Sequence, residues 1–249
     1  MPAALDVEQL TKRFGSTRAL VRVSVRVESG AAVALFGPNG AGKTTLIRVC
    51  ATLLRPTEGR VAILGHDARR DGSAVRRRIG MLGHDSWLYP DLSPRENLRI
   101  YARLFGVAQP QARIEALLER LGVMGWSHRP VRVLSRGLLQ RCALARVLLH
   151  DPEVLFLDEP FTGLDLDARD LLCAVLREAH QRGATLLMST HDLGLGLALC
   201  STAMVLVRGR IAWQGPVSPA DAADFEARYR SLTHGGVPAA PDSARVALA

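Results

Sequence analysis

Lysine is nearly missing from this chain. Lys12 and Lys43 are the only lysines among 32 basic residues, the rest being arginine. A compositional bias of the source genome accounts for such a pattern. The net charge of +8 is carried by scattered arginines, not by a basic run of the kind that grips nucleic acid or an anionic membrane. A lysine kept where arginine is the rule marks a place that needs a flexible ammonium, and Lys43 is such a place. Long apolar runs are also missing: none approaches the roughly 20 residues that cross a bilayer, and the N-terminus has no secretory pattern. The chain is therefore expected in the cytoplasm, with any membrane role supplied by a partner. Cys50, Cys142, Cys173 and Cys200 include no CxxC pair, which argues against a metal site and reads as small core residues in a reducing compartment. No internal repeat is visible. With 249 residues, 48% hydrophobic and 22% charged, the chain can bury one full core, with or without a subdomain.

What is present is organised around Gly37-Pro38-Asn39-Gly40-Ala41-Gly42-Lys43-Thr44-Thr45. The apolar run Ala31 to Phe36 before it reads as a buried strand, and Leu46 to Leu54 after it has helical periodicity. Strand, glycine-rich turn, Lys-Thr and helix is the context of a phosphate-binding P-loop. Glycines let backbone N–H groups curl round a phosphate, and the helix N-terminus adds roughly half a positive charge. The Lys43 ammonium reaches β- and γ-phosphates, and the Thr44 hydroxyl can ligate Mg²⁺. The stretch predicts binding of a nucleoside triphosphate.

The remaining elements follow in order. Residues 4–10 and 21–27 alternate as half-buried strands, with Phe14-Gly15 on a loop between them. Phe14 either stacks on adenine or anchors the loop. Pro56 to Gly59 is a turn before a strand at 60–64, residues 69–72 form a polar loop, and Ile79 to Leu82 is a buried strand leading to Gly83-His84-Asp85. Ser93, Pro94 and Glu96 supply an N-cap, N1 and N3 of a helix. From there to His150 the pattern is helical, broken at 106–110 and 122–130, which predicts a helical insert of about residues 86–150. Within it, Leu134-Ser135-Arg136-Gly137 opens a helix with Ser135 as N-cap, a second helix terminus able to bind an anion or simply to cap. Val154 to Leu157 is a strand ending in Asp158-Glu159. After a P-loop, these carboxylates read as a Mg²⁺-shell residue and a general base, against the plainer alternative of an acidic turn. Thr162 to Asp165 is a turn before a helix at 168–182, and the strand 185–188 ends at His191, placed to meet a γ-phosphate or to serve a structural role. A hairpin around Gly209 and a helix from Ser218 to about Leu232 close the domain. The single domain is expected over 1–233, with 234–249, rich in Ala, Pro and Gly, as a disordered tail.

Phe14, the P-loop, Leu134 to Gly137, Asp158-Glu159, Thr162 to Asp165 and His191 stand in the order found in ABC-type ATPases, and the resemblance covers about residues 4–215. It implies an α/β fold, a P-loop NTPase (RecA-like) cassette with an N-terminal antiparallel β part and a helical subdomain, acting on ATP with Mg²⁺. In that family two cassettes pair head to tail and sandwich each ATP. Ser135 and Gly137 would then serve the other protomer's γ-phosphate, and Asp165 would couple the sites across the interface. It further implies a homodimer or cassette heterodimer, membrane permease subunits on separate chains, a location on the inner face of the cell membrane, and no nucleic acid. Leu82-Gly83-His84-Asp85, Leu92-Ser93, Glu96-Asn97-Leu98 and Arg136 resemble more closely the ATP-binding subunit of the haem exporter of bacterial cytochrome c maturation. The 89–107 segment is shared with ABC-2-type exporters of drugs, lipids or polysaccharides, the alternative reading.

Three departures mark the chain. Asp85 stands where most cassettes have a glutamine, and it either ligates Mg²⁺ more strongly or falls short of it. Arg136 and Leu138 replace the first glycine and the glutamine of the signature, and Arg136 either adds charge beside the phosphate or points to solvent. His84 reads as a packing or hydrogen-bonding residue. A soluble ABC ATPase acting on nucleic acid or ribosomes would be favoured by the positive charge, but such proteins usually carry two cassettes or long coiled-coil arms. A kinase or GTPase is disfavoured by the Ser135 signature and by the lack of a guanine-reading loop.

Overall fold

The computed structural model describes residues 3–234. The chain begins with β1 (Leu5–Phe14) and β2 (Thr17–Val27), then β3 (Ala32–Phe36) and α1 (Lys43–Cys50). Next come β4 (Glu58–Ile63), the short β5 (His66–Asp67), α2 (Gly72–Arg78) and β6 (Ile79–Leu82). Three helices follow, α3 (Pro94–Phe105), α4 (Pro110–Arg120) and α5 (Arg136–Leu148). The chain then returns to the sheet through β7 (Val154–Asp158), α6 (Leu166–Gln181), β8 (Thr185–Ser189), α7 (Leu193–Leu199), β9 (Thr202–Val207) and β10 (Arg210–Pro216), and the described part ends with α8 (Ala222–His234).

Two sheets result. One is antiparallel, ordered β2-β1-β4-β5; the other runs β10-β9-β3-β8-β7-β6, parallel except for β10. Every residue of β3, β6, β7 and β8 is buried, as apolar parallel strands covered on both faces require. The parallel strands place the C-terminal ends of β3, β8, β7 and β6 side by side along one edge, where open α/β sheets bind ligands.

Local chemistry sets the boundaries. Ser93 accepts the Glu96 N–H and Glu96 reaches back to the Ser93 N–H at 2.8 Å, a capping box that starts α3, and Gly106 at φ 66° ends it. β1 and β2 are longer than alternation predicts because Gln9 and Arg22, both at φ 47°, interrupt the pleat with bulges. α2 occupies residues beyond the polar loop at 69–72; its one buried residue, Val75, sits among arginines and gives no visible apolar stripe. α7 was not expected, since Gly194 and Gly196 weaken helical propensity. Asp192 starts it by accepting the Leu195 N–H at 3.0 Å. Pro219–Asp221 form a 3-10 turn, so the last helix starts at Ala222. Of the tail expected at 234–249, His234 closes α8 and the remainder lies outside the described residues.

Candidate phosphate-binding site

The loop between β3 and α1 must be glycine at two places. A Cβ on Gly37 would stand 2.2 Å from the Leu206 carbonyl oxygen, and one on Gly42, at φ 107°, would stand 2.5 Å from that of Ala19. Lys43 is buried, and its ammonium donates to the Gly37 carbonyl at 2.7 Å and to that of Pro38 at 3.4 Å. The charge is held by dipoles of the loop itself, and no carboxylate among the described residues pairs with it, so it remains available to a phosphate. The surrounding cavity, of about 280 Å³, is lined by residues 38–45 together with Ala19, His84 and Glu159.

Asp158, 1% exposed, lies behind the cavity lining, against Thr44. Its Oδ1 accepts from Thr44 Oγ1 at 3.1 Å and from Ser189 Oγ at 2.7 Å. Its Oδ2 is buried with no partner. An unpaired carboxylate oxygen in the interior costs several kcal/mol of desolvation. Beside a hydroxyl and a phosphate loop, it fits a hard divalent cation that takes one or two protein oxygens and completes its shell with phosphate and water. Among the described residues there is no cluster of three or more His, Cys, Asp or Glu that could hold a metal ion by itself.

Glu159 follows at φ 52°, a strained value for a side-chain-bearing residue, and its N–H donates to Ser189 Oγ at 3.1 Å. Its carboxylate accepts from His191 Nδ1–H at 2.7 Å, which fixes the imidazole tautomer. Lys43, Thr44, Asp158, Glu159 and His191 are thus assembled from the ends of β3, β7 and β8.

Ser135, Gly137 and Asp165 do not line this cavity. Ser135 Oγ accepts its own helix's Leu138 N–H at 3.4 Å, and Asp165 Oδ1 accepts the Ala168 N–H at 2.8 Å as the N-cap of α6. A Cβ on Gly137 would meet nothing within 4 Å. Arg136 is exposed and donates to the Thr162 carbonyl at 3.1 Å. Gln140 donates to that of Pro160 at 3.1 Å, so α5 is tied to the segment following Glu159.

Phe14 lies outside the cavity lining, 48% exposed at the tip of the β1–β2 hairpin with the Lys12 ammonium 4.9 Å above its ring. Asp85 is also not brought to Thr44 and Asp158. It extends toward Arg48 at 3.9 Å, while its neighbour His84 takes the place on the cavity wall. Sequence reasoning missed Arg146. Its guanidinium donates to the carbonyls of Met81 at 2.8 Å and Ser86 at 3.1 Å, between the rings of Trp87 and Tyr101, and burial lowers its pKa to about 10. An arginine inside the apolar run 142–149 was the available signal. Burial pushes the Cys50, Cys142 and Cys200 thiols up to about 12, which keeps them as inert core groups.

The sequence profile described as "ABC transporter" matches residues 20–162, more than half of the chain. A second, described as "AAA domain, putative AbiEii toxin, Type IV TA system", matches residues 127–198. The chain is 41% identical to the daunorubicin resistance ATP-binding protein DrrA3 of Streptomyces coeruleorubidus over 85% of its own length and 68% of the relative's. It is 37% identical to the Nod factor export ATP-binding protein I of Burkholderia thailandensis over 86% and 71%. Among solved structures, an ATP-binding subunit of an ABC transporter superposes with TM-score 0.82 at 28% identity, over 93% of this chain and 96% of that one. The cassette MJ0796, solved as a post-hydrolysis dimer with ADP and Pi, shares the fold at TM-score 0.79 and 24% identity, over 86% and 98%. A phosphate loop facing an unpaired buried aspartate, on a fold and sequence shared with these proteins, places the chain in the ABC transporter family as an ATP-binding cassette ATPase.

Proposed function

We propose that this cassette powers an ABC-2-type exporter of a drug-like, lipid or polysaccharide substrate, working as a pair of cassettes beneath membrane permease subunits on separate chains. The observation that carries the ATPase site is Asp158 Oδ2, buried and unpartnered beside Thr44 and the Lys43 loop. The names of two relatives, a drug-resistance ATP-binding protein and a Nod factor export ATP-binding protein, favour this reading over haem export, whose support is confined to short segments: Leu82 to Asp85, Leu92-Ser93, Glu96 to Leu98 and Arg136. Among the described residues no helix is long and apolar enough to cross a membrane, which fits a membrane path supplied by other chains.

In this reading the N–H groups of residues 39–45 cradle the phosphates and Lys43 binds the β- and γ-oxygens. Thr44 and Asp158 would hold Mg²⁺, which supplies neutralisation of charge on the β- and γ-phosphates. Glu159 accepts the proton of the attacking water, and His191, bonded to it, fixes its orientation and directs Nε2 toward the γ-phosphate. Ser135 and Gly137 of a second copy close over that phosphate, with Asp165 at the boundary between the copies. Phe14 supplies a face for adenine at the hairpin tip.

The test is to purify the chain from solubilised native membranes with whatever accompanies it. The expected result is one or two multi-span permease proteins whose presence raises its ATPase rate. Recovery with cytochrome c maturation proteins would return the haem reading, and recovery with ribosomes or DNA alone would overturn export.

A further inference from the structure

One side chain on the cavity wall has no task in that scheme. His84 follows β6 directly and lines two adjoining cavities: the phosphate cavity, and a second bounded by Arg136, Gln140, Glu159 and Thr162. It is exposed. Among the described residues it has no hydrogen-bond or ion-pair partner, whereas the backbone on both sides is pinned. Arg146 holds the Met81 and Ser86 carbonyls, and Asp85 is drawn to Arg48. Gly83 passes beside the cation-binding carboxylate, a Cβ there standing 3.9 Å from Asp158 Cβ. A fixed backbone with one free imidazole is the arrangement of a ligand contact, not of a packing residue.

Its place along the sheet edge identifies what it would touch. From the phosphate loop at the end of β3, the edge passes β8 with His191, then β7 with Glu159, then β6 with His84. His84 therefore stands beyond Glu159, at the end of the cavity opposite Ala19 of the hairpin. A nucleotide whose base lies toward the hairpin presents its last phosphate there. In either protonation state an imidazole offers an N–H donor to a phosphate oxygen.

We propose that His84 hydrogen-bonds the terminal phosphate of bound ATP, facing Lys43 across the cavity, and makes no contact with ADP. The proposal rests on the ATPase reading above and adds a group that distinguishes triphosphate from diphosphate. The experiment is to titrate the full chain with a non-hydrolysable ATP analogue and, separately, with ADP, each with Mg²⁺, for the natural protein, His84→Ala and Lys43→Ala. One hydrogen bond to a charged oxygen predicts that His84→Ala weakens the analogue by about tenfold and leaves ADP affinity unchanged. Loss of affinity for both nucleotides alike, or for neither, would overturn the proposal. Lys43→Ala should weaken both nucleotides. If it weakens neither, the ATP-site reading itself fails, whatever His84 does.

Discussion

The two helix N-termini offered to phosphate, those of α1 and α5, are built in opposite ways. At α1 the chain supplies everything: glycines packed against backbone oxygens at 37 and 42, an ammonium held by loop carbonyls, and a hydroxyl bonded to a buried aspartate. At α5 little is supplied. Ser135 caps its own helix over 3.4 Å, Gly137 faces open space, and the adjoining Val133 is 52% exposed. Glycine is demanded at α1 by contacts inside the chain. At α5 no contact among the described residues demands it. In the proposed function the first terminus is one half of an ATP site and the second completes that site on another copy.

The sharpest way to break this contrast is to put alanine at each glycine. Gly42→Ala must strain a positive φ and displace a backbone oxygen, for about 3 kcal/mol or more. The thermal midpoint should fall by about 6–12 °C and nucleotide binding should be lost with it. Gly137→Ala should leave the midpoint unchanged or, through up to about 1 kcal/mol of helix propensity, raise it by about 2–4 °C, while ATP hydrolysis drops about tenfold or more through obstruction of the partner's phosphate. Equal thermal loss in both variants, or full hydrolysis by Gly137→Ala, would remove the distinction.

Next in size is Arg146→Met, which leaves the Met81 and Ser86 carbonyls without their buried donor. We expect about 2–4 kcal/mol of destabilisation by denaturant melting, with hydrogen exchange rising first in residues 81–89. The smallest effect is acid sensitivity on the α5 side. His150, stacked on Phe105 at 3.8 Å and donating from Nε2 to the Ile79 carbonyl, has its pKa lowered, chiefly by burial. Protonation therefore favours the unfolded chain. Its contribution to stability is fully present above the ordinary histidine range, about 6.5, and is lost as pH falls through that value toward the depressed folded one. A His150→Asn chain should show a flatter stability profile between pH 7 and 5, measured by urea midpoints.

Motifs whose chemistry is local could be read from the sequence. The P-loop, the Ser93 cap and the carboxylates at the end of β7 each need only a few adjacent residues; in the structure Lys43, Thr44 and Glu159 line one cavity and Asp158 is hydrogen-bonded to Thr44. What could not be read depends on contacts across the chain. Asp85 stands where the resemblance puts a glutamine, open to ligating Mg²⁺ or falling short of it; in the structure it lies 3.9 Å from Arg48 on α1 and His84 lines the cavity instead. Arg136 could be weighed only as charge, whereas its partner is a carbonyl at Thr162 on another segment. α7 was missed because its two glycines obscured a helix that starts at the Asp192 cap and packs on β3 and β9.

The most direct test of the account is the mass of the Glu159→Gln chain by light scattering, with Mg²⁺ and either ATP or ADP. Removing the base should preserve ATP binding and stop its cleavage, so two copies remain locked over two ATP molecules. The account predicts that the mass doubles with ATP, stays at one chain with ADP, and returns to one chain with ATP when Ser135→Arg is added. A chain that binds ATP fully yet keeps the mass of one copy at every concentration would contradict the claim that the α5 terminus of a second copy completes the site.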